Sequence, residues 1–266
     1  MKIVVCIKQV PDTTEVKLDP KTNTLIRDGV PSIINPDDKA GIEAALELKE
    51  RLNDGSTVTI VSMGPPQADV ALREALAMGA DEAYLLSDRA FGGSDTFATS
   101  TIIAAGLKKI GYDLVITGRQ AIDGDTAQVG PQIAEHLGIP QVSYAEEIIS
   151  LDNEKAVVKR QFEDRYHILE LPVPCLITAL SELAEPRYMS VHGIYDAYRE
   201  KEVKVLGFED LKDMFDPANI GLKGSPTNVY KSFTKQAKGA GTKYDDVSAD
   251  EAVKIIVDKL EERHII

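Results

Sequence analysis

Short apolar runs alternate with longer amphipathic segments over the first half of the chain. The runs have the length and composition of β-strands, and they lie at residues 3–7, 57–62, 83–86 and 113–117. In the segments between them, apolar residues recur at the three- and four-residue spacing of a helix. Strands that alternate with helices in this way form a parallel sheet joined by crossover helices. The pattern therefore predicts an α/β fold with a doubly wound, mostly parallel, Rossmann-like sheet.

Capping signals predict where four of the helices begin and end. At the first, Asn35 is the predicted N-cap, Pro36 takes the first helical position, and two acids follow in the first turn. The others are predicted at residues 66–79, 95–111 and 126–138. Each of these ends at or beside a glycine, which adopts the left-handed conformation of a helix C-terminus without steric cost.

The hydrophobic pattern changes in the second half of the chain. Between residues 142 and 180 apolar and polar positions alternate with a period of two, which predicts antiparallel strands extending the sheet edge. Residues 207–246 carry few large apolar side chains and are predicted to form an extended arm without its own core. A last helix, residues 249–263, has an apolar stripe that packs either on a partner chain or back on this one. We therefore predict an α/β domain at 1–205 and a C-terminal arm at 206–266.

Composition and charge exclude several classes of protein. The 266 residues carry a formal net charge of -13, which argues against nucleic acid or an anionic membrane surface as a partner. The two cysteines, Cys6 and Cys175, lie within apolar runs, which predicts buried thiols in a reducing compartment. No apolar stretch approaches the roughly 18 residues of a membrane-spanning helix, and no signal peptide precedes the first strand. We therefore expect a cytoplasmic protein without membrane insertion.

Motifs for hydrolytic and metal chemistry are absent. The four histidines lack the spacing and the neighbouring cysteines of a zinc site, so no metal site is predicted. The sequence also lacks the G-x-S-x-G elbow and the glycine-rich phosphate loops G-x-G-x-x-G and G-x-x-x-x-G-K-[ST]. Residues 92–96, GGSDT, are similar to the SGG-x-DS loop of ATP pyrophosphatases, but they follow the third strand rather than the first. We interpret them as a helix cap, and no catalytic residue is predicted.

The segment TGRQAIDGDTAQVGP, residues 117–131, joins a buried strand to the fourth predicted helix. Thr126 is the predicted N-cap, and the free amides of the helix then point back at the carboxyl edge of the sheet, where they can bind a diphosphate. Gly124 allows the backbone to approach a ligand closely, and Thr126 and Gln128 can donate uncharged hydrogen bonds. A capped loop without a ligand is the alternative.

Three strand ends are predicted to meet this segment in one crevice, because open parallel sheets bind ligands at their carboxyl edge. The predicted neighbours are Cys6-Ile7-Lys8, Ser62-Met63-Gly64 and Gly118-Arg119-Gln120. The sequence therefore places its candidate ligand site at the carboxyl ends of the first, second and fourth strands.

Six motifs, taken in order, closely resemble the beta subunit of electron-transfer flavoproteins over almost the whole chain. They are Cys6-Ile7-Lys8-Gln9-Val10, Asn35-Pro36, Ala75-Leu76-Ala77-Met78-Gly79-Ala80-Asp81, the segment 117–131, Pro186-Arg187-Tyr188 and Gly221-Leu222-Lys223-Gly224-Ser225-Pro226-Thr227. No single motif is decisive, but their order and spacing are highly specific. The resemblance implies pairing with a larger alpha subunit, around which the C-terminal arm extends.

The resemblance also implies an adenine nucleotide in the crevice, either AMP as a structural filler or a second FAD. Gly124 and Ala127 are smaller and less acidic than the matching residues of AMP-binding relatives, so the loop resembles the flavin-bifurcating type with FAD. The resemblance and the predicted crevice together give the cofactor-binding residues Cys6, Ile7, Lys8, Asn35, Ser62, Met63, Gly64, Arg119, Asp123, Gly124, Thr126, Ala127, Gln128 and Val129.

If FAD is bound, the resemblance implies that it accepts a hydride from NADH and that the two electrons separate. One passes to the alpha-subunit FAD and on to an acyl-CoA or hydroxyacid dehydrogenase, and the other passes to ferredoxin or flavodoxin. Arg119 is predicted either to stabilise negative charge on the flavin or to form a surface salt bridge. Two alternatives are a single-path electron carrier with AMP and a stand-alone adenine-nucleotide sensor, against which the long arm argues.

Residues 186–194 resemble the loop with which this family docks onto its dehydrogenase. Arg187, Tyr188 and Val191 are the predicted docking residues, and Val191 stands where relatives insert a leucine. The shorter valine implies weaker docking or a different partner. An ordinary helix start is the alternative.

Overall fold

A computed structural model describes residues 1–12, 31–227 and 239–266 of the chain. Residues 228–238, which belong to the predicted arm, lie outside the described residues. The described strands are β1 (Lys2–Ile7), β2 (Gln9–Pro11), β3 (Ser32–Ile34), β4 (Thr57–Met63), β5 (Glu82–Leu86), β6 (Leu114–Gly118), β7 (Gln141–Leu151), β8 (Lys155–Gln161), β9 (Tyr166–Pro172), β10 (Cys175–Ala179) and β11 (Val203–Leu206). β2 and β3 form a small antiparallel ladder, and the other strands form one sheet.

The large sheet has the strand order β11-β5-β4-β1-β6-β10-β7-β8-β9. Its strands are parallel from β11 through to β7, and β8 and β9 continue it as an antiparallel ribbon. This order confirms the predicted fold class. The prediction was wrong for β10, which is a parallel strand between β6 and β7 rather than part of the antiparallel ribbon. All of its residues are buried, as expected for a strand covered on both faces.

Helices cover both faces of this sheet. They are α1 (Pro36–Leu52), α2 (Asp69–Met78), α3 (Thr96–Ile110), α4 (Val129–Leu137), α5 (Val191–Arg199) and the short α6 (Phe208–Leu211) and α7 (Gly221–Gly224). A further helix, α8 (Ala249–Glu261), follows near the end of the chain. Ile3 and Val5 of β1 pack in the core layer of α1 and α2, whereas Val4 packs in the layer of α3 and α4. Alternate residues of one strand therefore build both layers. Among the described residues, no helix has the length and apolar content needed to span a membrane.

The predicted helix ends agree with the structure, but one predicted start does not. Glycines with positive φ follow three helices, at Gly79, Gly111 and Gly138. The fourth predicted helix begins at Val129 rather than at Thr126, so Thr126 is not its N-cap. Asp125 and Ala127 have φ values of 55° and 53°, in the left-handed region. A right-handed helix cannot include these residues, and it starts only beyond them.

The segment after β11 packs on the domain that precedes it. Leu211 and Ile220 are buried in the core layer of α3 and α4, and Phe208 and Phe215 pack against that layer. These apolar residues are widely spaced among polar ones, so the sequence pattern shows no core here. The chain divides into the compact units Met1–Tyr230 and Lys231–Ile266, whereas the sequence places the boundary after residue 205.

Asp95 holds this segment against the N-terminus of α3. Its carboxylate accepts hydrogen bonds from the backbone N–H of Ala98 and from that of Thr227, each at 3.0 Å. The Asp95 N–H in turn donates to Ser225 Oγ at 2.9 Å. These bonds confirm the interpretation of residues 92–96 as a helix cap, and they tie residues 225–227 to α3.

Asp95→Ala is expected to lower the free energy of unfolding by about 1 to 2 kcal/mol at pH 7, because it removes an N-cap and the bond to Thr227. Burial raises the pKa of Asp95, but the hydrogen bonds from Thr227 and Ala98 outweigh it and hold that pKa below its usual value. A lowered carboxyl pKa stabilises the fold above the pKa of the unfolded chain, near pH 4, and this contribution is lost as the pH falls through the folded value.

Urea denaturation at several pH values measures this contribution. The difference between wild type and Asp95→Ala should stay constant from about pH 7 to 5 and shrink below about pH 4. Asp164→Ala, which removes only an exposed ion pair with Arg165, is the control and should unfold like wild type. A difference that persists unchanged in acid would contradict the role of the Asp95 charge.

The second compact unit carries α8. Ser248 and Glu251 form a reciprocal capping box at its start. The predicted apolar stripe is present, and its Ile256 is 58% exposed. Val253, which was not among the predicted residues of the stripe, is 61% exposed on the same helix. A helix with such a face has apolar surface available for contact with another protein.

Candidate functional site

The winding of the sheet reverses between β1 and β6. From β1 the chain leads to α1 and then to β4 on one side, whereas β6 lies on the other side and leads to α4. α1 and α4 cover opposite faces, so the connections after β1 and β6 separate and leave a crevice at the carboxyl edge. β4 pairs with β1 and brings Met63 and Gly64 to the same edge. The fold therefore brings the three predicted strand ends together.

An ion pair joins the two sides of this crevice. Lys8 Nζ, after β1, lies 2.6 Å from Asp123 Oδ1. Asp123 belongs to the crevice loop, by which we mean residues 119–128, between β6 and α4. Its side chain is 5% exposed and that of Lys8 45%, so the cation faces solvent while the carboxylate is covered. The positive charge of Lys8 therefore neutralises the negative charge of one acidic residue of the loop.

Asn35 fixes the first half of the crevice loop. Its Nδ2 donates to the carbonyl oxygen of Gln120 at 2.8 Å, and its Oδ1 accepts the N–H of Ile122 at 3.0 Å. Asn35 precedes α1 as predicted, but its side chain makes no capping hydrogen bond to that helix. The prediction of a side-chain cap was therefore wrong, because the amide bonds the loop instead.

Asp38 ties the ends of β1 and β6 together. Its Oδ2 accepts the N–H of Lys8 at 2.7 Å, and its Oδ1 accepts the N–H of Gly118 at 2.9 Å. Burial raises the pKa of Asp38 to about 7, against the lowering effect of these N–H groups and of Asn35. A Cβ at position 118 would overlap Asp38 Oδ1, so this strand end requires glycine.

Arg119, the first residue of the crevice loop, lies beside α1. Its Nε is 3.4 Å from Asp37 Oδ2, which makes an ion pair without a hydrogen bond. Burial raises the pKa of Asp37, and the charge of Arg119 opposes that shift. Among the described residues the buried Arg119 Nε has no hydrogen-bond partner. The guanidinium therefore keeps hydrogen-bonding capacity at the edge of the crevice.

The N-terminus of α4 lies directly against the sheet. A Cβ at Gly130 would lie 2.6 Å from Thr117 Oγ1 and 2.8 Å from Thr178 Cγ2, so the helix can come this close only with glycine. Gln128, the residue before the helix, makes no side-chain cap and instead accepts a hydrogen bond from Thr96 Oγ1 at 3.0 Å. The first amides of α4 are thus available to an anion.

The middle of the crevice loop presents its backbone to solvent. Gly124, Asp125 and Thr126 are exposed. No atom lies within 4 Å of the position that a Cβ on Gly124 would occupy. A ligand can therefore approach this backbone, as predicted for Gly124, and the left-handed Asp125 and Ala127 turn the chain around the open space.

Three of the predicted cofactor-binding side chains form the floor of the site. Cys6, Ile7 and Ser62 are 7%, 5% and 2% exposed. Burial, and then the charge of Asp38, raise the pKa of the Cys6 thiol, so it is not a reactive thiolate. Cys175 is also a buried thiol, as predicted, and burial raises its pKa to about 11. Ser62 Oγ has no hydrogen-bond partner in the described part of the chain.

Comparison with known proteins shows the family of this chain. Residues 22–211 match the family model described as "Electron transfer flavoprotein domain". An electron transfer flavoprotein subunit beta of Clostridium acetobutylicum is 59% identical over 266 residues, which cover 100% of both chains. The chain belongs to the electron transfer flavoprotein beta-subunit family. The resemblance seen in the six sequence motifs is therefore confirmed.

Two other members of this family carry the name of a reductase. The caffeyl-CoA reductase-Etf complex subunit CarD of Acetobacterium woodii is 56% identical over 267 residues. The acryloyl-CoA reductase electron transfer subunit gamma of Anaerotignum propionicum is 50% identical over 273 residues. Both alignments cover 100% of each chain, so these relatives are similar to this chain along its whole length.

The predicted docking loop, residues 186–194, carries exposed side chains on a fixed base. Tyr188 and Val191 are 98% and 87% exposed. Arg187 instead lies across α1, where its guanidinium is 2.8 Å from Glu43 Oε1 and 2.6 Å from Glu50 Oε1. These two carboxylates raise the pKa of Arg187, Glu43 more than Glu50. The three predicted docking residues therefore divide into one anchor and two exposed side chains.

Sequence reasoning misses several residues that shape the crevice. The acid after Asp37 is interpreted as a helix-dipole acid, whereas in the structure Asp38 is buried between two strand ends. Gly130 and Thr178 are missed because they meet only when α4 packs over β10. In the sequence, only the small residues at the end of β6 and at the start of α4 indicate that the helix packs this closely on the sheet.

Proposed function

We propose that this chain is the beta subunit of a heterodimeric electron transfer flavoprotein, which binds FAD in the crevice between β1 and β6 and oxidises NADH there. The electrons then divide between the alpha-subunit FAD, which serves an acyl-CoA or hydroxyacid dehydrogenase, and ferredoxin or flavodoxin. The observation that carries the proposal is the exposed stretch Gly124, Asp125 and Thr126, which lies just before a helix N-terminus beside the switch point. Family membership supports the flavin, and the names of the two reductase-associated relatives support an acyl-CoA route.

The N-terminus of α4 is the proposed site of the diphosphate. The N–H groups of Val129 and Gly130 have no acceptor within the helix, and Pro131 has no N–H to satisfy. The helix dipole adds positive potential at this point. Two cations lie at the site and each already faces an acid, since Lys8 pairs with Asp123 and Arg119 with Asp37. We therefore propose that the helix N-terminus attracts a diphosphate, while the paired cations add no excess of positive charge.

The dimensions of the loop favour FAD over AMP. The space beside Gly124 is open, and Ala127 is short, so the loop leaves room for a ligand longer than AMP. Ser62 Oγ, which has no hydrogen-bond partner among the described residues, fits a ring system that carries polar atoms. When bound, the flavin supplies hydride acceptance and one-electron transfer. Arg119 is proposed to stabilise negative charge on its ring.

The nucleotide content of the purified complex tests this proposal. The chain is co-expressed with its alpha subunit, the complex is denatured, and the released nucleotides are separated and quantified. We expect about two FAD per heterodimer without AMP, together with NADH-dependent reduction of ferredoxin. One FAD plus one AMP per heterodimer would instead indicate a carrier that passes electrons along a single path. ATP bound to a chain purified without an alpha subunit would indicate a nucleotide sensor.

Gly124→Asp is the matched variant for this test. It restores an acid of the kind found in AMP-binding relatives, and it does so at a position with open space, so the fold should be retained. We expect FAD in the beta subunit to fall while FAD in the alpha subunit stays constant, because only the crevice is changed. Unchanged FAD content would contradict the role given to Gly124.

Two further surfaces are proposed as contacts with partners. Tyr188 and Val191 of the docking loop are proposed to bind the dehydrogenase, supported by their exposure above a fixed base. The exposed apolar side chains Val253 and Ile256 of α8 are proposed to pack on the alpha subunit. Arg187 is proposed to hold the first surface in place by anchoring the loop on α1, without contacting the partner itself.

A further inference from the structure

We propose that Asp38 and Asn35 are positioning residues that hold the crevice loop in the conformation that binds a nucleotide. The inference rests on the proposed nucleotide site and adds a role for residues that lie beneath the loop. Both residues are buried, since Asn35 and Asp38 are 1% and 6% exposed.

Asp38 replaces the strand pairing that is lost where β1 and β6 separate. The last paired residues of these two strands are Cys6 and Thr117. Beyond this pair, the N–H groups of Lys8 and Gly118 donate to the two different oxygens of the Asp38 carboxylate. One side chain therefore fixes the distance between the two sides of the crevice at its base.

Asn35 transmits this geometry to the crevice loop. Its amide donates to the carbonyl of Gln120 and accepts from the N–H of Ile122, and the Asn35 side chain also lowers the pKa of the neighbouring Asp38 carboxyl. The next residue, Asp123, pairs with Lys8. The part of the loop that Asn35 holds thus lies directly before the exposed backbone of the proposed diphosphate site.

The loop needs this support because its own conformation is unfavourable. Asp125 and Ala127 both lie in the left-handed region, where a residue with a Cβ is sterically strained. Such a conformation persists only when surrounding contacts hold it. Loss of the Asp38 or Asn35 hydrogen bonds releases the loop and leaves buried N–H groups unpaired. The predicted result is weaker nucleotide binding at a modest loss of stability.

The test compares Asp38→Asn with a matched variant at the opposite edge of the same two strands. There the Lys2 N–H of β1 donates to Asp113 Oδ2, just before β6, at 2.7 Å. Asp113→Asn therefore removes a carboxylate that bonds the same strand, but far from the crevice loop. Each variant is purified as the complex with the alpha subunit, and the crevice nucleotide is removed. Binding of FAD and of AMP is measured by titration, and thermal unfolding is recorded in parallel.

We expect both variants to unfold at a lower temperature than wild type, and only Asp38→Asn to bind the nucleotide about tenfold more weakly. Asn35→Ala should show the same weakening, and the double variant should lose less than the sum of the two, because the residues act in series. Equal nucleotide affinity in Asp38→Asn, Asp113→Asn and wild type would overturn the inference. If Asp38→Asn does not fold, wild-type affinity in Asn35→Ala overturns it instead. Wild type that binds neither FAD nor AMP overturns the proposed function itself.

Discussion

Gly130→Ala is expected to weaken nucleotide binding about tenfold and to lower the free energy of unfolding by about 1 to 3 kcal/mol. The added methyl group would lie 2.6 Å from Thr117 Oγ1 and 2.8 Å from Thr178 Cγ2. Both threonines are buried in the sheet and β-branched, so their χ1 angles have little freedom. Thr178 also accepts the N–H of Tyr144 at 3.0 Å, and rotation would break that bond. The helix must therefore move, and the amides at its N-terminus move with it.

Titration with FAD and urea denaturation of the same samples measure the two effects. Gly124→Ala is the control for stability, because a Cβ there meets no atom within 4 Å, and its unfolding should match wild type within about 0.5 kcal/mol. Adding Thr178→Ser to Gly130→Ala removes the crowded methyl group and keeps the hydroxyl, so it should restore part of the loss. Wild-type stability in Gly130→Ala alone would mean that α4 does not pack this closely.

Arg187→Ala is expected to lower the free energy of unfolding by about 2 to 3 kcal/mol. The Glu43 side chain is 4% exposed and would be left as a buried carboxylate without its partner. The expected loss lies below that of a fully buried pair because the Arg187 side chain is 33% exposed and Glu50 lies at the surface. The backbone N–H of residue 187 donates to Glu43 Oε2 at 3.0 Å, and because alanine keeps this N–H, the expected loss comes from the guanidinium alone.

Chemical denaturation of matched variants separates two effects on stability, that of the unpaired buried Glu43 charge and that of losing an arginine side chain. Arg165→Ala removes an arginine from an exposed pair with Asp164 and should leave stability unchanged. Adding Glu43→Gln to Arg187→Ala removes the unpaired charge and should restore part of the loss. Complex formation with the dehydrogenase should weaken in Arg187→Ala, since Tyr188 and Val191 lose their fixed base. No change in either property would show that Glu43 and Arg187 do not form this pair.

Most of the sheet follows from the sequence because the strands next to β1 are buried on both faces. Continuous apolar runs predict β1, β4, β5 and β6 to within one residue at each end. Helix ends are equally local, since a glycine such as Gly138 supplies the left-handed residue that stops the helix. The strand ends predicted to meet also lie at one edge of the sheet, because chain order and the carboxyl-edge rule determine which of them are neighbours.

The remaining features depend on contacts between distant residues. β10 resembles its ribbon neighbours in sequence, and only pairing with β6 makes it a central parallel strand. Asp125 and Ala127 adopt left-handed backbone without being glycine, so the start of α4 cannot be derived from local preference. Asp38 and Asn35 have the sequence context of a helix start. Their bonds to the strand end and the loop, 80 and 87 residues away, appear only in the folded chain.

The place of β10 in the sheet has a consequence for the order of assembly during synthesis. β10 is the strand beside β6, and its Thr178 determines how closely α4 can approach. The ribosome must therefore synthesise the chain through Ala179 before the helix beside the crevice reaches its final height over the sheet. A nascent chain that ends earlier contains every residue of the crevice loop but not the surface that positions α4. A ligand is thus expected to load into the crevice only after the chain has been synthesised through Ala179.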